Sequence, residues 1–316
     1  MPRTAANPPR RVAVIGVGFI GTHVAAGLLH AGFETTVINR SPLDERKGRL
    51  LSGARVAIFD ASARKLLAPL LAEIDHVVYC ASGLMPAESN IDPVTDAGLS
   101  LPPLLNVLSL LQERPRAGLT FLSSGGTVYG PSKAEFIDEQ HATEPVTAYG
   151  VMKLASEKYV LLHRRMHALR ARVLRCSNVY GPNQPASRSQ GAIAVFLDRI
   201  VRGEPVPLYG DGSIVRDFVY VGDVVDAILR TLSVTDGSTT LNVGSGVGAS
   251  LMEVIELIER VSGCRAIIEE LADRGFDVPR VVLDITRART ELGFAPTALE
   301  RGLRLTLTEG VATLRV

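Results

Sequence analysis

Tyr149 and Lys153 lie four residues apart in the run Tyr149-Gly150-Val151-Met152-Lys153. On an α-helix, positions i and i+4 share a face, so this spacing sets an ammonium beside a phenol. A cation next to a phenol favours the phenolate. A tyrosine so placed can exchange a proton with an alcohol or sugar oxygen while hydride moves to or from a nicotinamide. Tyr129 also has a lysine four residues on, Lys133, but Gly130 and Pro131 intervene. Those two residues mark a turn, so the shared-face argument fails there and the chemistry is assigned to Tyr149 and Lys153.

A second set of residues suits anions. Gly16-Val17-Gly18-Phe19-Ile20-Gly21 falls between Arg11–Ile15, an apolar run typical of a buried parallel strand, and a predicted helix over Phe19–His30. In that context Gly16 allows a tight turn, Gly18 lets the backbone approach a pyrophosphate, and Gly21 lets the helix pack close to the sheet. Backbone N–H groups at Phe19 and Ile20, with the helix dipole, then favour the phosphates of a dinucleotide. The second strand ends at Asn39-Arg40-Ser41. An acidic residue there would accept hydrogen bonds from the adenosine ribose. Asn39 removes the charge that would repel a 2′-phosphate, and Arg40 could pair with one. The expected cofactor is NADP, with NAD as the alternative. Asp60, after the third strand, is expected to take the adenine amino group; Ala61, Cys80 and Ala81 at neighbouring strand ends complete the expected cofactor contacts.

These groups need a frame. Short apolar runs at Arg11–Ile15, Glu34–Ile38, Val56–Phe59, His76–Cys80, Leu119–Leu122 and Arg172–Leu174 alternate with helical segments. Such alternation implies a parallel, doubly wound sheet with right-handed crossovers. After Asn178 the pattern becomes irregular: a polar loop over Tyr180–Arg188, a helix at Ile193–Val201, a strand ending in a turn over Pro205–Gly212, another strand at Thr240–Val243 and a helix at Leu251–Val261. The expected division is a dinucleotide-binding unit over 1–176, with 215–245 returning to it, and a smaller α+β cap from 177–214 and 246–316 over the carboxyl ends of the strands.

Composition excludes several classes. The 316 residues are 46% hydrophobic and 21% charged, which rules out disorder over most of the length. Thirty-four Lys and Arg against 33 Asp and Glu leave a net charge of +1, too little basic excess for a nucleic-acid platform. Cys80, Cys176 and Cys264 are widely spaced and form neither a disulfide framework nor a zinc pattern, so a reducing compartment is expected. Val12–Leu29 after Arg10 and Arg11 looks like a signal peptide, but Gly16, Gly18, Gly21, Thr22 and His23 interrupt it. No other stretch reads as a membrane span; the expectation is a soluble, cytoplasmic protein with no membrane partner. His163 and His167 have a zinc-compatible spacing, but Arg164 and Arg165 crowd them and no third ligand is evident, so no metal is expected.

Six motifs occur in order: GVGFIG (Gly16–Gly21), SSGGTVYG (Ser123–Gly130), YGVMK (Tyr149–Lys153), NVYGP (Asn178–Pro182), YGDGSIVRDFVYVGDVVDA (Tyr209–Ala227) and LNVGSG (Leu241–Gly246). Together they resemble the extended short-chain dehydrogenase/reductases that act on nucleotide sugars, the epimerase/dehydratase group, over roughly residues 12–310. The resemblance implies a Rossmann-type α/β fold, a bound nicotinamide cofactor, a nucleoside-diphosphate sugar in the cap, and a homodimer. It implies that Tyr149 and Lys153 are the catalytic pair, that Asn178 contacts the substrate diphosphate or sugar, and that Arg216 and Arg274 bind the diphosphate. A guanidinium suits that task because its fork binds phosphate oxygens bidentately. Ser82 and Met85, after the fourth strand, are expected to border the sugar. Segments at Leu101–Gln112 and Met152–Leu169 are apolar enough on one side to form the dimer interface.

The chain departs from the family pattern twice. Ile15 stands where the family has its first glycine, and Gly125 stands where it has the catalytic Ser or Thr. Ser124 or Thr127 is expected to supply the missing hydroxyl. Dehydratases of the group carry an Asp-Glu pair before the motif tyrosine, and no carboxylate lies between Ser123 and Tyr129. What remains is redox at a sugar carbon, C4. The expected activity is reduction of an NDP-4-keto-6-deoxyhexose with Tyr149 as proton donor. The alternatives are a UDP-hexose 4-epimerase with bound NAD, or a catalytically silent NADP-binding sensor.

Overall fold

Short apolar runs, buried residue after residue in β-strand segments such as 12–15, 35–38 and 118–123, make strands that are covered on both faces. The computed structural model describes residues 10–114, 117–186, 191–234, 237–273 and 278–312. Its first part alternates β1 (Arg11–Ile15), α1 (Phe19–His30), β2 (Glu34–Asn39), α2 (Glu45–Leu50), β3 (Arg55–Ile58), α3 (Arg64–Leu71) and β4 (His76–Tyr79). There follow α4 (Pro86–Ile91), α5 (Pro93–Leu111), β5 (Gly118–Ser124), α6 (Ala148–His167) and β6 (Arg170–Cys176). The second part contains β7 (Asn178–Tyr180), α7 (Ala192–Arg202), β8 (Pro205–Tyr209), β9 (Val215–Tyr220), α8 (Val221–Ser233) and β10 (Thr240–Val243). It closes with β11 (Gly248–Ser250), α9 (Leu251–Ser262), β12 (Ile267–Leu271), β13 (Arg280–Val281), α10 (Thr286–Leu292) and α11 (Leu299–Ala312).

Seven strands form one sheet in the order β10-β6-β5-β4-β1-β2-β3, and all six pairings are parallel. This is a Rossmann-type doubly wound sheet. Chain direction across the sheet reverses between β1 and β4, the crevice where such sheets bind ligands. One apolar layer packs α1 and α8 against Val12, Val14 and Val37. The other packs α3 and α5 against Ala13, Ile15, Val77 and Phe121. By length and hydropathy α5 qualifies as a membrane span, which the sequence reading overlooks. Leu104, Val107, Leu108 and Leu111 on its inner face are nevertheless fully buried in the sheet's core.

The remaining strands form small sheets. β9 lies between β11 and β13, with β7 pairing to it, and β12 pairs with β8. A third core joins Tyr180, Phe196, Ile200, Val254 and Ile258. Of the segment 215–245, β10 extends the large sheet beside β6, whereas β9 pairs with β7 in the small one. Strand limits also differ from the sequence reading. β6 runs four residues longer than Arg172–Leu174 because its charged ends, Arg170 and Arg175, still pair with β5. β8, by contrast, stops at Tyr209 and gives way to the expected turn at Gly210 and Gly212, both with positive φ.

Candidate active site

The phosphate turn is set by close backbone approach. Gly16 has φ +87°, and a Cβ there would stand 2.6 Å from the Ala81 Cα. The turn of β1 therefore lies directly against the end of β4. At Gly21 a Cβ would stand 1.9 Å from the Gly16 carbonyl oxygen, so α1 can close on the turn only without a side chain. At Gly18 the same position is open space. No side chain caps α1 at Gly18, which leaves the first amides of the helix for an anion. Ile15, the departure from the family's glycine, is the last residue of β1, 2% exposed in the core. The positive φ belongs to Gly16, so the turn is built without a glycine at 15.

Asn39, read from the sequence as an uncharged residue tolerant of a 2′-phosphate, also has a structural task. Its Oδ1 accepts from the Val17 N–H at 3.0 Å and its Nδ2 donates to the Ser41 carbonyl at 2.6 Å. It braces the glycine turn from the end of β2. Arg40 and Ser41 are exposed beside it. Asp60 Oδ1 accepts from the Ser62 N–H at 2.8 Å, an Asx turn, and Ala61 is buried. Cys80 packs under α1, where a Cβ at Gly21 would be 3.3 Å from its own Cβ. Burial pushes the Cys80 thiol up to about 12, so it stays neutral. A cavity of about 180 Å³ opens beside Gly18 and Phe19, lined also by Arg46 and Lys47 of α2 and by Asp44, whose Oδ2 lies 3.3 Å from Lys47 Nζ. Neither cation was anticipated from the sequence.

Tyr149 and Lys153 lie in the first turns of α6. Thr147 caps that helix by accepting from the Gly150 N–H at 3.1 Å, and Asn90 accepts from the Ala148 N–H at 2.8 Å. Lys153 is 8% exposed. Its Nζ donates to the Leu122 carbonyl of β5 at 3.1 Å and lies 5.7 Å from the centroid of the Tyr149 ring. A small pocket brings Tyr149 and Lys153 together with Ala81, Ser82, Asp96 and Ser100. Through Ala81, the Tyr149–Lys153 pair and the glycine turn meet at the carboxyl ends of the central strands β1 and β4.

The last two of those residues escaped the sequence reading. Asp96, 1% exposed, accepts from the Leu84 N–H at 2.8 Å and from the hydroxyls of Ser89 at 2.6 Å and Ser100 at 3.2 Å. It clamps the loop after β4 that carries Ser82. An acid inside the otherwise apolar run of α5 was the available signal. Met85 caps the short α4, its N–H donating to Glu88 at 3.3 Å, and among the described residues it is not part of this pocket.

The candidate hydroxyls separate. Ser124 lies towards Asn178, since a Cβ at Gly126 would be 3.8 Å from the Asn178 amide and 3.9 Å from Ser124 Oγ. Thr127 abuts Gly150, and its Oγ1 is buried with no hydrogen-bond partner, as is Ser123 Oγ. Among the described residues neither Ser124 nor Thr127 bonds to Tyr149. A Cβ at Gly125 would stand 2.7 Å from Leu283 Cδ1 and 3.0 Å from the Arg175 carbonyl oxygen, so this backbone has little room for a side chain there. Asn178 Nδ2 donates to the Asp217 carbonyl at 2.9 Å, and Arg216 Nη1 donates to the Val215 and Val278 carbonyls. Both are thus at least partly engaged in joining the small sheet together. Arg274 lies outside the described residues.

A family model for the NAD dependent epimerase/dehydratase family matches residues 12–244. The chain belongs to this family. The UDP-glucose 4-epimerase of Mycolicibacterium smegmatis is 32% identical over 94% of this chain and 97% of its own length. The dTDP-4-dehydro-6-deoxyglucose reductase of Escherichia coli is 32% identical over 72% of this chain and 71% of its own. Among solved structures, the UDP-glucose 4-epimerase of Thermotoga maritima with UDP-glucose superposes with a TM-score of 0.90 at 31% identity, covering 96% of this chain and 99% of that one. The Thermus thermophilus UDP-glucose 4-epimerase complex with NAD gives 0.87 at 31% identity, covering 95% and 99%. The protein is an enzyme of the NAD-dependent epimerase/dehydratase family, with the Rossmann-type sheet that its motifs implied.

Proposed function

We propose that this family member is a UDP-hexose 4-epimerase that works with NAD. The observation that carries the reading is the single pocket joining Tyr149 and Lys153 to Ala81, whose backbone lies under Gly16. The open Cβ position at Gly18 and the uncapped start of α1 fit a dinucleotide pyrophosphate, with Arg46 and Lys47 at the cavity beside it. Bound NAD supplies a hydride acceptor and donor. The Tyr149 phenolate, stabilised by the Lys153 ammonium that Leu122 fixes, takes the proton of the sugar's C4 hydroxyl, holds it as the neutral phenol while C4 is a ketone, and returns it when hydride comes back to C4. The run Ser123–Tyr129 has no carboxylate where dehydratases of the group carry an Asp-Glu pair, which speaks against loss of water.

Support for NAD over the expected NADP comes from the family description and from the NAD complex of the Thermus thermophilus relative. Arg40, the residue that suggested NADP, is exposed. Incubation of the NAD-loaded protein with UDP-glucose is expected to give UDP-galactose; an unchanged substrate would overturn the reading. The Escherichia coli relative favours a second reading, a 4-ketoreductase. Consumption of NADPH with a dTDP-4-keto-6-deoxyhexose, and no conversion of UDP-glucose, would select it. A silent sensor is motivated by Gly125 and opposed by the intact Tyr149 and Lys153.

We also propose a homodimer through α5 and α6. Val151, Tyr159, Leu162 and Met166 form an exposed apolar stripe along α6, and Val94 at the start of α5 is 80% exposed. Light scattering is expected to give twice the monomer mass.

A further inference from the structure

The inner face of α6 carries three functional groups in succession: Tyr149, Lys153 and, one turn further, Glu157. Glu157 is 0% exposed and Arg175 5% exposed. The carboxylate takes Arg175 Nε at 3.1 Å from both oxygens and Nη2 at 2.7 Å. Arg175 sits on β6 opposite Ser123 of β5. Lys153 Nζ is bonded to Leu122, the residue before Ser123. Two latches one helical turn apart thus fix α6 to adjacent strands. The Arg175 guanidinium also lies 4.8 Å from the centroid of the Tyr129 ring, so the outer latch is itself held in place.

A buried ion pair is a poor source of stability, since an apolar pair of similar volume does as well or better. What it supplies is one geometry: a bidentate fork fixes distance and angle together. We propose that Glu157 and Arg175 are positioning residues for the reaction, holding α6 in the register that places the Lys153 ammonium beside the Tyr149 phenol. This rests on the proposed role of Tyr149 as the proton-transferring group. Groups facing the pair are few. Cys80 and Cys176 lie within electrostatic reach of Lys153, and burial pushes both thiols up to about 12, so they are neutral. Asp96 lines the same pocket from α5 with its oxygens engaged by Leu84, Ser89 and Ser100.

The test uses the full chain with Glu157→Met/Arg175→Met, which removes the fork and keeps an apolar filling, alongside Glu157→Asp, which shortens one arm. Epimerisation is followed from pH 5 to 10, and phenol ionisation is read by ultraviolet absorbance with Tyr149→Phe in each background as the blank. The double variant is expected to fold and to lose about tenfold in kcat, with KM within about twofold. Its Tyr149 ionisation is expected to move to higher pH, and Glu157→Asp to restore part of both. A folded double variant with wild-type kcat and an unmoved Tyr149 ionisation overturns the proposal. If the wild type does not epimerise, the proposed function fails; the ionisation comparison still decides the positioning role, because a moved Tyr149 supports it and an unmoved one refutes it.

Discussion

Tyr129 and Tyr149 each precede a lysine by four residues, and the fold gives them opposite work. Around Tyr129 the chain leaves β5 into a turn. Its ring is 1% exposed, its hydroxyl donates to Asn242 Oδ1 at 2.6 Å, and burial pushes the phenol up to about 12 despite Arg175 nearby. Around Tyr149 the chain enters a capped helix, the ring is only half-buried, and the ammonium four residues on is fixed 5.7 Å away. A phenol committed to a buried amide is structural. One left facing a pocket beside a fixed cation is free to move a proton. Spacing alone does not separate them; the Gly-Pro break after Tyr129 does.

Substitutions should exaggerate this contrast. Tyr149→Phe is expected to cut turnover by about two to four decades while leaving NAD affinity and thermal stability close to wild type. Steady-state kinetics beside NAD titration check it. Glu157→Gln strands Arg175 without its counter-charge and is expected to destabilise the fold by about 3–5 kcal/mol, measured by urea unfolding. Tyr129→Phe leaves the Asn242 oxygen without its donor, at an expected cost of about 1–3 kcal/mol, with turnover within about threefold of wild type. If Tyr129→Phe instead abolishes turnover and Tyr149→Phe does not, the two regions have been assigned the wrong way round.

The effect that bears least on turnover lies at the opposite end of the sheet, away from the site. Burial, with Arg170 and Arg172 nearby, holds the His76 imidazole down to about 3. The unfolded chain therefore takes up that proton first. Stability is expected to fall as pH drops below about 6.5, by about 1.4 kcal/mol per pH unit at most, until the folded value near 3 is reached. Unfolding of wild type and His76→Gln at pH 7 and pH 5 measures it; the variant should show the shallower dependence.

Much of this was legible in the residues. β1, α1 and β10 fall where apolar runs and glycines put them, because each depends on local pattern alone. The glycine turn was readable because Gly16 and Gly21 are positions where any side chain would meet backbone. What was not legible depends on contacts across the chain. Asn39 binds Val17 across the sheet, Asp96 reaches back to Leu84, and β9 finds its partners in β7, β11 and β13. Asp217 shows the same limit. It is 0% exposed within the RDF motif, and its carboxylate gathers Ser177, Ser245, Gly246 and Leu283. A motif that implied ligand contact thus also carries the hub of the small sheet. The expected reductase and its NADP rested on Asn39 and Arg40, a lever on adenosine recognition that says little about the sugar.

The central claim is that Tyr149 moves a proton at C4 while hydride leaves and returns at the same carbon. UDP-glucose deuterated at C4 tests it directly, with the NAD-loaded protein in ordinary water and the product followed by NMR. The account predicts UDP-galactose that keeps its deuterium, at a rate lowered by about two to four decades in Tyr149→Phe. Deuterium lost to water, or no UDP-galactose at all, would contradict it.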